Sequence, residues 1–204
     1  MKLGWTKFWL YVSLASIISG PSIAATPVRA GAAPARATQG NVTRANETLL
    51  AGLRPGRDTV AMAEKRFKSK KLADSKDAEN KEWRDDCSGR AIRLELNAQA
   101  VIQSITITSL AAKEGACGSQ RPDFLDAKNW VTGRGLRLGD SQDRVVSFYG
   151  EPNSSGPASK NGQDLDLMYY QFDWAGSDVP QVMEILCTRD SGRVVEITLA
   201  FPSL

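Results

Sequence analysis

The sequence predicts an α+β protein made of two tandem helix-plus-antiparallel-β-meander units, and three observations carry that expectation. The first is a repeated opening. Gly52-Leu53-Arg54-Pro55-Gly56 stands against Gly135-Leu136-Arg137-Leu138-Gly139, four identities in five at a separation of 83 residues. The second is a change of hydrophobic period after each opening, from helical spacing to alternation. The third is a later echo: Ile102-Gln103-Ser104-Ile105-Thr106-Ile107 lies 92 residues before Val194-Val195-Glu196-Ile197-Thr198-Leu199. Because the separation grows from 83 to 92, the second unit is expected to carry nine extra residues between its helix and its last strand.

The units follow an export leader and a tether. Lys2 and Lys7 give residues 1–25 a basic start, residues 8–18 (FWLYVSLASII) are mostly apolar, and Gly20-Pro21 precedes small residues suited to cleavage. The apolar run is shorter than the roughly 20 residues needed to span a bilayer. A cleavable signal peptide is therefore expected, with an uncleaved anchor as the alternative, and the mature chain is expected to be periplasmic or secreted. Residues 26–46 are rich in Ala, Pro, Gly, Thr and Arg and almost free of large apolar side chains, so they read as a disordered linker. Arg29, Arg36 and Arg44 leave it weakly cationic.

The first unit is assigned to residues 47–118. Leu49, Leu50 and Leu53 precede the glycine turn, with Asp58 as the expected helix cap, and Val60, Met62, Ala63 and Phe67 follow at helical spacing. After a charge-rich stretch, a short edge strand near Trp83, a strand carrying Ile92, Leu94 and Leu96, and a β-branched strand over residues 101–108 complete a meander. Residues 119–134 form a connecting segment, with a short helix expected from Pro122-Asp123. The second unit, residues 135–204, opens with Ser141 as cap and Val145, Phe148 and Tyr149 as the apolar stripe. Gly150-Glu151-Pro152 ends that helix, since glycine reverses the backbone and proline cannot continue it. Residues 153–166 read as a Ser/Gly/Asn-rich loop, before strands at 167–174, 179–188 and 193–201.

Gly139-x-Ser141, then Val145 and Gly150-Glu151-Pro152 before a meander, resembles the SmpA/OmlA (BamE-like) domain of bacterial envelope proteins. Two such units in one exported chain also resemble the tandem arrangement of the β-lactamase inhibitory protein family. The resemblance covers about residues 47–204. The first unit departs from the motif, with Asp58 for Ser/Thr, Met62 for Val and no Gly-x-Pro after Phe67. BamE-type proteins are lipoproteins, whereas this leader ends without a cysteine to acylate, so no lipid anchor is expected. The resemblance implies a docking surface on a paired sheet face, and transfers no individual partner-binding residue.

Composition narrows the function further. The chain has 26 basic and 23 acidic residues, and without Lys2 and Lys7 it has 24 against 23, so no strong positive field is available for nucleic acid. Histidine is absent, which removes the commonest general base and metal ligand. Neither SxxK nor GxSxG occurs, so the familiar serine-nucleophile motifs are missing as well. The acid pairs Asp85-Asp86 and Asp164-x-Asp166 read as solvated charges. Of the three cysteines, Cys87 and Cys117 are expected to form a disulfide within the first unit, although spacing alone does not fix connectivity. Cys187, alternating with Met183 and Ile185, reads as a buried small hydrophobe.

These readings leave a non-enzymatic protein-binding module without a cofactor or metal, whose partner is another envelope or extracellular protein. A secreted inhibitor of an extracellular hydrolase, a β-lactamase or peptidase, is the alternative. Strand parity sets Met168, Tyr170, Phe172 and Trp174 on one face of the second sheet. It sets Leu167, Tyr169, Gln171 and Asp173 on the other, together with Glu184, Leu186, Glu196 and Thr198. With Arg93, Glu95 and Thr106 from the first unit, the polar members of this second set are the expected partner-binding residues, and Tyr169 is the aromatic anchor.

Overall fold

The alternating stretches join into one seven-stranded sheet in which every neighbouring pair is antiparallel. A computed structural model describes residues 46–67, 80–111, 130–172 and 181–201, all within the unit Asn41–Leu204. In chain order the elements are α1 (Val60–Phe67), β1 (Asn80–Asp85), β2 (Arg90–Leu96), β3 (Ile102–Ser109), α2 (Gln142–Tyr149), β4 (Ser154–Lys160), β5 (Gln163–Phe172), β6 (Gln181–Thr188) and β7 (Val194–Ala200). The sheet order is β1-β2-β3-β7-β6-β5-β4, so the two echoing strands, β3 and β7, are neighbours. The protein is thus α+β and mostly β. Among the described residues no helix is long and apolar enough to cross a membrane.

The core lies on one face and can be read as rows across the sheet. Trp83, Ile92, Ile107, Ile197, Ile185 and Met168 are successive register partners from β1 to β5, and all are buried. The helices cover this face. In α1, Ala63 and Phe67 are buried, and the Phe67 ring meets Trp83 edge-on with centroids 5.0 Å apart. In α2, Val145 and Tyr149 are buried, and Tyr149 packs 5.8 Å from Tyr170 and 6.1 Å from Phe172. Met62, expected in the α1 stripe, is 51 % exposed, because an eight-residue helix buries only one narrow strip.

Both helices start from the same kind of turn. Gly56 (φ 76°) donates to Ile102 O at 2.7 Å, and Gly139 (φ 86°) donates to Val194 O at 2.7 Å, so each turn is fastened to the start of a central strand. At Gly56 a Cβ would stand 2.8 Å from the Phe201 ring, which adds a steric demand for glycine to the conformational one. The expected equivalence of Asp58 and Ser141 is off by one residue. Ser141 caps α2, accepting from Arg144 N at 3.3 Å, and bridges to Arg193; the corresponding bridge before α1 is made by Thr59, to Val101. Asp58 instead accepts from Arg54 N at 2.8 Å, as Asp140 accepts from Arg137 N at 2.9 Å. Arg57 is the extra residue that displaces the register.

The stretch 153–166, expected as a loop, is strand for most of its length. It holds β4 and the first residues of β5, joined by a turn at Asn161-Gly162. Ser, Gly and Pro hide the strand because β4 is an edge strand, where a proline without N–H and small side chains are tolerated. The other edge, β1, carries Lys81, Glu82 and Arg84. The expected short helix at Pro122 lies outside the described residues.

A buried polar chain ties the segments that lead into the two turns. Leu50 bridges Thr132, and Ala51 N donates to Val131 O. Beside them Glu47, 2 % exposed, accepts from Thr48 N and Leu49 N through Oε1, and from Arg134 N and the Tyr149 hydroxyl through Oε2, all at 2.8–3.1 Å. Since the Tyr149 proton goes to Glu47, the Thr132 hydroxyl, 2.8 Å away, donates to Tyr149 and itself accepts from Leu136 N. Burial first, and then the Glu47 carboxylate, push Tyr149 ionisation far above the ordinary phenol range. Glu47→Ala strands three backbone donors and the Tyr149 hydroxyl, so urea denaturation is expected to show a loss of roughly 2–4 kcal/mol. A loss below about 1 kcal/mol would refute this role for the network.

Candidate functional site

The face turned away from the helices carries a polar row through all seven strands, beside apolar side chains such as Leu165 and Leu186. Its central row reads Glu82, Arg93, Thr106, Thr198, Glu184, Tyr169 and Ser154, each the register partner of the next, and it crosses all seven strands. Five of the expected contact residues, Arg93, Thr106, Thr198, Glu184 and Tyr169, stand in this row, but Thr106, 5 % exposed, departs from the expectation of an open contact residue because its neighbours on β2 and β7 cover it. Glu95 and Glu196 lie in rows beside it, and Gln171, at the end of β5, pairs with Val182. Asp173 lies outside the described residues.

The middle of the row is dished. Arg93, Glu95, Thr106, Glu184, Glu196 and Thr198 line a hollow of 270 Å³, with Ser104, Val182 and Ala200 completing its wall. At its base the Thr106 and Thr198 hydroxyls are 2.9 Å apart. Glu95 accepts from the Ser104 hydroxyl at 2.8 Å and faces Arg93 at 3.9 Å. Glu184 and Tyr169 make no side-chain hydrogen bond or ion pair with the described residues.

Glu196 departs from its expected role as an open contact residue. It is 8 % exposed, accepts from the Thr108 hydroxyl at 2.8 Å, and is clasped by Lys160 Nζ at 2.7 Å and 2.5 Å. This pair borders a second hollow, of 390 Å³, whose apolar wall includes Leu110, Leu165, Leu186 and Val195. Sequence reasoning missed Lys160 and Leu165 because it took their strands for a loop. The alternation of Leu165 and Leu167 with Asp164 and Asp166 was the available signal.

The acid pairs serve local structure. Asp85, 2 % exposed, accepts from Cys87 N and Ser88 N at 3.1 Å and from the Ser88 hydroxyl, closing the β1–β2 turn. Asp166 pairs with Arg189 at 3.2 Å. No group of three or more His, Cys, Asp or Glu residues able to hold a metal occurs among the described residues. Cys87 is disulfide-bonded, and Cys117 lies outside the described residues. Cys187 is a free thiol, fully buried on the core face.

No family model matches the chain, and no curated protein matches it. Among solved structures the chain is similar to a DUF4309 family protein (YjgB) from Bacillus subtilis, at 10 % identity and a TM-score of 0.44, over 74 % of this chain and 83 % of that one.

Two outcomes follow from this geometry. Lys160→Met leaves the Glu196 carboxylate without its cation, and is expected to cost about 1–2 kcal/mol in a denaturant titration; the half-exposed lysine keeps this below the cost of breaking a fully buried pair. Burial, with a smaller contribution from Asp166, pushes the Cys187 thiol from 9.0 up to about 11. The unfolded chain therefore releases this proton first, and the thiol's contribution to stability is lost as pH rises from about 9 to about 11. Replacing Cys187 by alanine should flatten that alkaline decline, and an unchanged slope would refute the assignment.

Proposed function

We propose that this chain is an exported, non-enzymatic protein-binding module of the bacterial cell envelope, which docks its partner on the open sheet face. The observation that carries the reading is the central row, where five expected contact residues stand side by side opposite both helices. A wide antiparallel face with charged, hydroxyl and aromatic groups in register offers area and hydrogen-bonding groups together. The basic start and mostly apolar run within residues 1–25 support export.

In this reading the fold is a tandem of two SmpA/OmlA-like units, with β3 and β7 as the strands that join them. Support comes from contacts that recur at the separations found in the sequence. The fastening bond Gly56 to Ile102 recurs as Gly139 to Val194, and Thr106 faces Thr198, its own echo, 92 residues on. The same tandem favours a more specific form of the reading, a secreted inhibitor of an extracellular β-lactamase or peptidase. Enzyme titration with micromolar amounts of this protein tests that form, and undiminished hydrolysis would exclude it.

The general reading is tested with Arg93→Glu, Tyr169→Ala and Glu184→Lys combined, leaving the clasped Glu196 intact. All three side chains reach solvent, so the unfolding midpoint is expected to stay close to the parent's. A partner recovered from envelope extract by the parent should be lost with the variant, and equal recovery would overturn the proposal.

A further inference from the structure

We propose that the central hollow of the open face receives a basic side chain, arginine or lysine, from the docking protein; this rests on the protein-binding reading above. The argument begins with the charges around the hollow. Three carboxylates and one guanidinium line it. Glu196 is neutralised by Lys160, and Glu95 is held by the Ser104 hydroxyl and faces Arg93. Glu184 is exposed and has no such partner among the described residues. The unbalanced charge is therefore negative, and a docking surface complements it with a cation.

The surroundings of Glu184 suit a long cationic side chain. Thr198 is its register partner on β7, with Thr106 next to it. One hydrogen bond between the two hydroxyls leaves lone pairs on both free to accept. Tyr169 is the register partner of Glu184 on the other side, half-buried and just outside the wall of the hollow, so an aromatic ring able to attract a guanidinium stands next to the site. Val182 and Ala200 on the wall give methylene groups an apolar contact. A guanidinium has five donors for one carboxylate and two hydroxyls, a match that makes arginine the better of the two residues. At 270 Å³ the hollow falls below the usual range of small-molecule sites, roughly 300–1,000 Å³, and it opens onto a broad face, which suits one side chain carried by a larger partner.

A random-peptide display library selected on the full chain tests this, with binding measured in parallel on Glu184→Gln and Glu184→Arg. Expected are peptides that need an arginine or lysine and lose at least about fivefold in affinity on Glu184→Gln. Changing that peptide residue to glutamate should restore binding to Glu184→Arg, a rescue that a general loss of folding cannot mimic. Peptides that depend on Tyr169 and Arg93 yet ignore Glu184 would overturn this inference while leaving the docking face standing. Recovery of no peptide sensitive to any open-face substitution would overturn both. Binding of arginine amide alone, as tight as that of the peptides, would overturn the assignment to a protein side chain.

Discussion

The antiparallel pairing of β3 with β7 is the interaction on which the rest of the structure depends. Without it, β1-β2-β3 and β4-β5-β6-β7 would be two narrow ribbons, each with a β-branched strand exposed at its edge. The pairing buries both strands at once. Ile107 meets Ile197 and Ile105 meets Leu199 on the core side, while Thr106 meets Thr198 on the other. One register therefore aligns the apolar row under the helices and the polar row on the opposite face. A slip by a single residue would exchange the two rows, so the hydrophobic demand of the core also fixes which side chains the open face displays.

On the helix side, a polar network reinforces what the sheet achieves through apolar contact. Glu47 and Tyr149 are 102 residues apart in sequence, and their hydrogen bond joins the segment before α1 to the end of α2. A buried carboxylate is tolerated there because four donors converge on it. The network adds directionality to a core whose other contacts are mostly non-directional. The helices are short, eight residues each, and have little intrinsic stability, so fixed attachment of their leading turns matters to their placement.

Much of this architecture was legible in the sequence. Alternation in residues 92–96 and 167–172 gave strand faces correctly, because a sheet with one covered side enforces a period of two. The helix stop at Gly150 followed from local chemistry, and the structure has it at φ 76° with its N–H bonded to Val146 O. The failures have physical causes. β4 was read as loop because an edge strand needs no apolar pattern of its own. The one-residue offset at Thr59 was invisible because Asp58 also fits a cap, and only the bond to Arg54 N reveals its different task. Glu196 passed for a surface acid because parity gives the face and says nothing of a lysine folding over it from β4. Glu47 was missed entirely, since its donors come from residues 48, 49, 134 and 149, and no local pattern unites them.

The two ends of the sheet differ in chemistry, and both discourage extension. β1 offers Lys81, Glu82 and Arg84 to any strand laid alongside it, and β4 carries Pro157, which lacks a donor for an incoming ladder. A second molecule adding edge to edge would meet desolvated charge at one rim and a missing bond at the other. Fibrous self-assembly, the standing hazard of an open β-structure, is thereby blunted even in a crowded compartment. Contacts made across the broad side of the molecule are left unhindered.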